Sequence, residues 1–131
     1  MQQVDPKEFL FRGVTRGQIV PDSRKPNAYR PSSAAFRDVG GCLSVDVASK
    51  TSPSESLQRL PQSVALVCFS AAIPIGQGYP VVEDPIEGNP AHALVQSDGR
   101  PISKAHCREL ALPFTRSLSW TKFTLPCILA A

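Results

Sequence analysis

The alternation of apolar and polar residues predicts a strand most clearly in residues 42–48 (CLSVDVA). Leucine and valine occupy every second position there, which is the period-two pattern of a strand with one buried face. Residues 63–72 (SVALVCFSAA) are apolar at most positions, which predicts a central strand covered on both faces. Runs rich in branched and aromatic residues predict shorter strands: residues 8–14, 79–83, 91–96 and 117–124, with a short edge at 18–21.

Two short helices are predicted from their start and stop signals. Ser52 can cap a helix, Pro53 suits the first helical position, and Glu55 completes a capping box. This helix is short because Pro61 cannot continue it. A second helix is expected over residues 103–112, which carry an apolar stripe and end before a proline.

The remaining segments are predicted to be loops and turns. Residues 22–31 are mostly polar or charged and contain two prolines, so we expect an exposed loop there. Residues 73–78 (IPIGQG) and 84–90 (DPIEGNP) carry the proline and glycine of turns. Residues 32–36, which follow a proline, predict a single helical turn.

Proline is the residue type that most constrains the architecture. The chain has 131 residues, of which 13 are proline, and these are spread along its length. Because proline interrupts helix interiors and central strands, the elements between prolines are short, and a helix bundle is disfavoured. We expect an α+β fold with a mainly antiparallel or mixed sheet of about five to six short strands and two short helices. A single domain over residues 1–131 is the natural organisation for this length.

Charge is distributed unevenly, although the formal net charge is only +3. Residues 1–40 carry seven Lys or Arg and four Asp or Glu, residues 41–98 carry two and six, and residues 99–131 carry five and one. Either these oppositely charged segments lie side by side in the fold, or the two ends form a basic surface for nucleic acid or an acidic partner. No apolar run reaches the ~18 residues of a membrane span, so no membrane association is expected.

The four cysteines, Cys42, Cys68, Cys107 and Cys127, lie far apart and form no C-x-x-C pair. Free cysteine in an apolar strand behaves as a small hydrophobe, so we expect Cys42 and Cys68 to be buried and reduced. The first residues lack the basic and apolar regions of a signal peptide. These features predict a reduced, cytoplasmic protein with no metal site and no cofactor.

His92 and Asp46 are the titratable residues best placed for chemistry. His92 follows the loop at residues 84–90 and begins an apolar strand, where it can be a base, a ligand or a histidine satisfied by backbone groups. Ser44 and Asp46 share one face of their strand. If that face is buried, Asp46 needs a partner, and Arg12, Arg37 or His92 are the candidates; the other interpretation is that the face is solvent-exposed.

A candidate site is therefore expected where the loop at residues 84–90 meets the strand that holds His92, facing Arg12 and Asp46. Loops held by rigid strands often carry function. Gly13 follows Arg12, and a glycine permits close approach of another backbone or a ligand. His106 beside Cys107 is a weaker pair, because adjacent helical residues point in different directions.

Arg12, then Ser32, Ser33 or Ser44, then Glu83 follow one another along the chain. This order resembles that of the ADP-ribosyltransferases. The resemblance implies that the arginine and serine help hold NAD, and that the glutamate stabilises the developing oxocarbenium charge. Asp84 and a proline follow Glu83, so the paired Glu/Gln-x-Glu of many such enzymes is absent.

A second resemblance is to a group of short uncharacterised bacterial proteins. It is carried by residues 30–36 (RPSSAAF), 43–49 (LSVDVAS) and 89–95 (NPAHALV) and spans roughly residues 10–110. It implies a bacterial, cytoplasmic origin and transfers no site residues. The sequence also contains no phosphate loop, no G-x-G-x-x-G, no H-E-x-x-H and no nucleophile elbow.

Two functions remain open at this point. The first is a small soluble, non-enzymatic binding or accessory module whose partner is another protein. The alternative is an NAD-using enzyme or toxin of the ADP-ribosyltransferase kind, with catalytic candidates among Arg12, Ser44, Asp46, Glu83 and His92. Convergence of these side chains in one cleft would favour the enzyme.

Overall fold

The computed structural model describes residues 2–21, 29–36, 42–96 and 119–120. The strands are β1 (Phe9–Val14), β2 (Ile19–Pro21), β3 (Tyr29–Pro31), β4 (Cys42–Val47), β5 (Ala65–Ser70), β6 (Val81–Glu83), β7 (His92–Gln96) and β8 (Ser119–Trp120). The α-helices of this part are α1 (Pro53–Gln58) and α2 (Ala72–Gly76), and its 3₁₀ helices are Arg16–Gln18, Ser33–Phe36 and Ala48–Lys50. Neither α1 nor α2 is long and apolar enough to cross a bilayer.

The main sheet has the strand order β6-β7-β4-β1-β5-β8, and every neighbouring pair is antiparallel. The short strands β2 and β3 form a separate antiparallel pair. The predicted α+β class with a small antiparallel sheet and two short helices is therefore confirmed. The register shows which residues share a face of the sheet. Phe11 of β1 lies opposite both Asp46 and Cys68, so these three residues share one face.

One face of the sheet carries the main hydrophobic core. The side chains that point to it include leucines, valines and alanines of β1, β4, β5, β6 and β7, among them Leu10, Val45, Val67 and Val95. Phe36 packs edge-on against Phe69 with ring centroids 6.3 Å apart, and both are fully buried. This edge-to-face geometry is favourable for aromatic pairs, and it fixes the 3₁₀ helix Ser33–Phe36 over the sheet.

The opposite face is covered by α1 and the segment that follows it. The hydroxyl of Ser52 accepts a hydrogen bond from the backbone N–H of Glu55, as predicted for the start of this helix, and Pro53 occupies the first turn. A Cβ on Gly13 of β1 would lie 2.5 Å from Ser63 Oγ and 2.7 Å from Leu60 Cδ1. Glycine is therefore required for this segment to lie so close to β1.

Three predicted details of the fold were wrong. The strand β5 is present and mostly buried, but β4 and β1 occupy the centre of the sheet. Residues 73–78 are not a simple turn, because Ala72–Gly76 is the helix α2; Pro74 is tolerated in its first turn, where the backbone N–H has no helical partner. Tyr29–Pro31 forms β3 rather than loop, and Pro31 is acceptable on such an edge strand.

Other predictions are confirmed in part or lie outside the described residues. The single helical turn is the 3₁₀ helix Ser33–Phe36. Cys42 and Cys68 are free, as expected, but half-buried rather than buried. The predicted helix at residues 103–112, the cysteines Cys107 and Cys127, and most of the basic C-terminal segment lie outside the described part of the chain.

Candidate functional site

A cleft of about 740 Å³ lies beside the centre of the sheet. Its lining comes from β1 and β4, from the segment after α1 and from the loop at residues 84–90. The paired register between β1 and β4 contains only two residue pairs, Leu10 with Val47 and Phe11 with Asp46. The cleft therefore begins where the hydrogen-bonded contact of the two central strands ends.

Arg12 connects the two strands beyond that point. Its Nη1 donates to the carbonyl oxygen of Ser44 at 2.8 Å, and its Nε donates to the carbonyl oxygen of Ala35 at 3.0 Å. The Arg12 side chain thus connects β1 and β4 where their backbone-to-backbone hydrogen bonds have ended. It also holds the 3₁₀ helix Ser33–Phe36. Burial lowers the pKa of the Arg12 guanidinium, because desolvation disfavours the charged form.

Asp46 is the centre of a hydrogen-bond network at one end of the cleft, and only 7% of this residue is exposed. Its Oδ2 accepts from Ser56 Oγ at 2.6 Å and from Arg59 Nη2 at 3.2 Å, and its Oδ1 accepts from Asn89 Nδ2 at 2.8 Å. Arg59 Nη2 also donates to Thr51 Oγ1 at 2.8 Å. One carboxylate therefore joins β4, α1 and the loop at residues 84–90.

The environment of Asp46 favours its ionised form. Burial raises the pKa of the carboxyl group, but the hydrogen bonds from Ser56, Asn89 and Arg59, together with the positive charge of Arg59, outweigh burial and lower it overall. Asp46 is thus a charged group that is fully engaged with protein partners. Such a carboxylate positions the elements around it and is poorly suited to accept a proton from a substrate.

The loop at residues 84–90 is held at both of its ends. Ile86 and Asn89 exchange backbone hydrogen bonds of 3.2 and 2.9 Å, and Gly88 between them has φ +80°. Glycine suits this left-handed conformation, which side chains disfavour. His92 Nδ1 lies 2.9 Å from the carbonyl oxygen of Asp84 and 3.2 Å from its Oδ2. Because a carbonyl oxygen only accepts, this contact holds a proton on Nδ1.

The structure brings four of the five predicted site residues to this cleft: Arg12, Ser44, Asp46 and His92 all line it. Glu83 is not among the lining residues, and its Oε1 is paired with Lys50 Nζ at 2.5 Å. Ser32 and Ser33 are likewise not among the lining residues. Arg12 and Ser44, which belong to the order that resembles the ADP-ribosyltransferases, therefore line the cleft, but the glutamate of that order, Glu83, does not.

Two of the three partners predicted for Asp46 were wrong. Neither Arg12 nor His92 bonds it, and Arg37 lies outside the described residues. The interpretation of its face as solvent-exposed was also wrong for Asp46, although it holds for Ser44, which is exposed. The true partners Ser56, Arg59 and Asn89 went unrecognised in the sequence.

One signal for the missed partners was present in the sequence. Ser56 and Arg59 are three residues apart in a helical segment, and such residues share a face. Asn89 carried no comparable signal, since its contact with Asp46 depends on how the loop folds back over β4. Arg59 has a further property: its Nε is buried and has no hydrogen-bond partner within the described residues.

Comparison with protein-family models, with curated proteins and with solved structures gave no match. Within the described residues, no group of three or more His, Cys, Asp or Glu side chains is arranged to hold a metal ion. The cleft lining supplies two guanidinium groups, the engaged carboxylate of Asp46, the exposed carboxylate of Glu87, an engaged histidine and the exposed apolar side chains of Leu60 and Ile86.

Proposed function

We propose that the protein is a small, non-enzymatic binding module that receives a peptide segment of another protein in this cleft. The observation that carries the proposal is the position of the exposed apolar side chains. In the described part of the chain three large hydrophobic residues are exposed, Phe9, Leu60 and Ile86. Two of them, Leu60 and Ile86, line the cleft. Apolar side chains gathered at a concave surface are typical of interaction sites.

The cleft lining suits a peptide in two further respects. Exposed polar side chains such as Ser44 and Gln62 lie beside the apolar ones, and they can bond the main-chain groups of a bound segment. The network around Asp46 also holds the loop that carries Ile86 in place through Asn89. A preformed site loses less conformational freedom when a ligand binds.

The alternative of an ADP-ribosyl-transferring enzyme has less support. Its glutamate candidate, Glu83, pairs with Lys50 and is not part of the cleft lining. The other acidic candidate, Asp46, is engaged by three protein donors, and His92 is engaged by Asp84. These contacts assign positioning roles to the groups that an enzyme would need for proton transfer.

The experiment is selection of binders from a display library of random peptides on the purified protein. We expect enriched peptides with apolar residues at recurring positions. The enriched peptides should lose most of their affinity for the double variant Leu60→Ser, Ile86→Ser. The control is Phe9→Ser, which removes the third exposed large hydrophobic residue but lies outside the cleft. No enrichment, or an equal loss of affinity in the control, would overturn the proposal.

A further inference from the structure

The guanidinium of Arg12 has unused hydrogen-bonding capacity. A guanidinium carries five N–H groups, and two of them bond the carbonyl oxygens of Ala35 and Ser44. The other three, including both on Nη2, have no partner in the part of the chain that the structure describes. Both existing partners are neutral, so they satisfy donors without balancing the charge.

Within the described residues, Arg12 also has no acidic counterpart. The ion pairs between described residues include Lys50 with Glu83, Arg59 with Asp46, and His92 with Asp84, and none of these includes Arg12. The carboxylate of Asp46 lines the same cleft, but its donors are Ser56, Arg59 and Asn89. A partly buried cation that lacks an opposite charge is costly, and a bound anion would offset that cost.

Arg59, which also lines the cleft, contains a second donor without a partner among the described residues. The Nε–H of Arg59 is buried without a partner among the described residues, although Nη2 of the same side chain bonds Asp46 and Thr51. Buried N–H groups in proteins are nearly always paired. This Nε–H is closed off from solvent, so the donors that a ligand can reach are those of Arg12.

The geometry points to a carboxylate as the polar group that this cleft recognises, with Arg12 as its principal partner, while Leu60 and Ile86 of the same cleft receive apolar groups of the ligand. This inference rests on the proposed peptide-binding function and specifies its ligand. Planar guanidinium and carboxylate groups match in shape and can form two parallel hydrogen bonds. Glu87 and Asp46 also line the cleft, so a singly charged carboxylate is repelled less than a doubly charged phosphate.

The carboxylate has two possible sources, the free C-terminus of a protein or an acidic side chain. The probes that separate them are small. N-acetyl-leucine combines an apolar side chain with a terminal carboxylate, and N-acetyl-leucinamide is its neutral counterpart. N-acetyl-leucyl-glutamic acid α-amide, whose side-chain carboxylate is free, and the corresponding glutamine amide form the pair for a side-chain carboxylate.

The experiment titrates each probe into the ¹⁵N-labelled protein and follows the backbone and arginine side-chain resonances. We expect at least one acid to shift the Arg12 Nε–H and Leu60 resonances, with affinity roughly tenfold or more above that of its neutral counterpart, because charge-assisted hydrogen bonds are the strong ones. Arg12→Gln should bring acid and neutral probe to within about twofold, and Arg12→Lys should retain an intermediate preference.

Equal affinity of each acid and its neutral counterpart in the unaltered protein would overturn the carboxylate inference. So would failure of every probe to shift the Arg12 resonance. Both outcomes are measured without a variant, so instability of Arg12→Gln would not obscure them. If neutral probes still bind and the Leu60→Ser, Ile86→Ser variant abolishes that binding, the peptide-binding function survives while the carboxylate inference fails.

Discussion

The amide nitrogen of Asn89 donates to the carboxylate oxygen Oδ1 of Asp46 across 2.8 Å, although 43 residues separate them in the sequence. The same Asn89 side chain accepts from the backbone N–H of Ala91 at 3.1 Å through its Oδ1. Asn89 therefore joins the end of the cleft loop to the central strand β4. Ile86 begins the turn that Asn89 ends, so the position of Ile86 depends on this connection.

Replacing Asp46 with asparagine is expected to destabilise the protein. The change removes the charge that faces Arg59 and converts one acceptor of the network into a donor that meets Ser56, Arg59 or Asn89. Breaking a buried, hydrogen-bonded pair from one side costs roughly 3 kcal/mol. Urea unfolding measures the difference. The control is Glu87→Gln, an exposed carboxylate of the same cleft, for which we expect a change below about 0.5 kcal/mol.

Stability should fall at acid pH through the same carboxyl group. The pKa of Asp46 is lowered below its ordinary value of 3.8, so its ionised form favours the folded state. Its contribution is fully present above the unfolded pKa and disappears as pH falls through the folded pKa. The stability difference between the unaltered protein and Asp46→Asn should therefore shrink below about pH 4. Urea unfolding at a series of pH values tests this, and a difference that grows with acidity would contradict it.

Gly13→Ala should destabilise the protein and disturb the cleft. The added Cβ would lie 2.5 Å from Ser63 Oγ and 2.7 Å from Leu60 Cδ1, so the segment over β1 must move. Overpacking of this kind costs about 1–3 kcal/mol. Adding Ser63→Gly in the same chain should recover part of the loss measured by urea unfolding. Gly17→Ala is the control, because a Cβ there meets nothing within 4 Å; equal losses at both glycines would count against steric crowding.

His92→Ala should leave the fold nearly intact and weaken peptide binding. The change removes the contact between His92 Nδ1 and the carbonyl oxygen of Asp84, and a hydrogen bond of this kind contributes about 1 kcal/mol. The loop at residues 84–90 then loses one of its attachments. Unfolding and titration with the selected peptides measure both effects, with Gln96→Ala on the same strand as the control. Normal peptide binding, or a loss of several kcal/mol, would show that His92 has no role in the site.

The elements of the fold were predictable where a local pattern determines them. The alternation in β4 predicted its strand and the position of its buried valines, and the signals at Ser52 and Pro53 predicted the start of α1. Prediction failed at α2, because Pro74 and Gly76 resemble turn residues whereas the first helical turn accepts proline. We also expected β5 at the centre of the sheet, because apolar residues on both faces of a strand indicate that it is buried but do not indicate its place in the strand order.

The candidate site was predictable only as a region. Sequence reasoning placed Arg12, Asp46 and His92 near one another, and all three line one cleft. It assigned the wrong partners to Asp46, because the donors Ser56, Arg59 and Asn89 reach it through packing of a helix and a loop against the sheet. It also included Glu83, whose pairing with Lys50 directs it elsewhere.

The sequence by itself determined most of the extended segments, although not β3, where α1 begins, and that an aspartate in β4 needs partners if it is buried. These properties depend on residues close together in the chain, so periodicity and capping preferences predict them. The tertiary structure alone decided the order of the strands, the partners of Asp46, and the presence of Leu60, Ile86 and Arg12 in one cleft. Those contacts join residues far apart in the chain, and their formation depends on which faces pack together rather than on any local pattern.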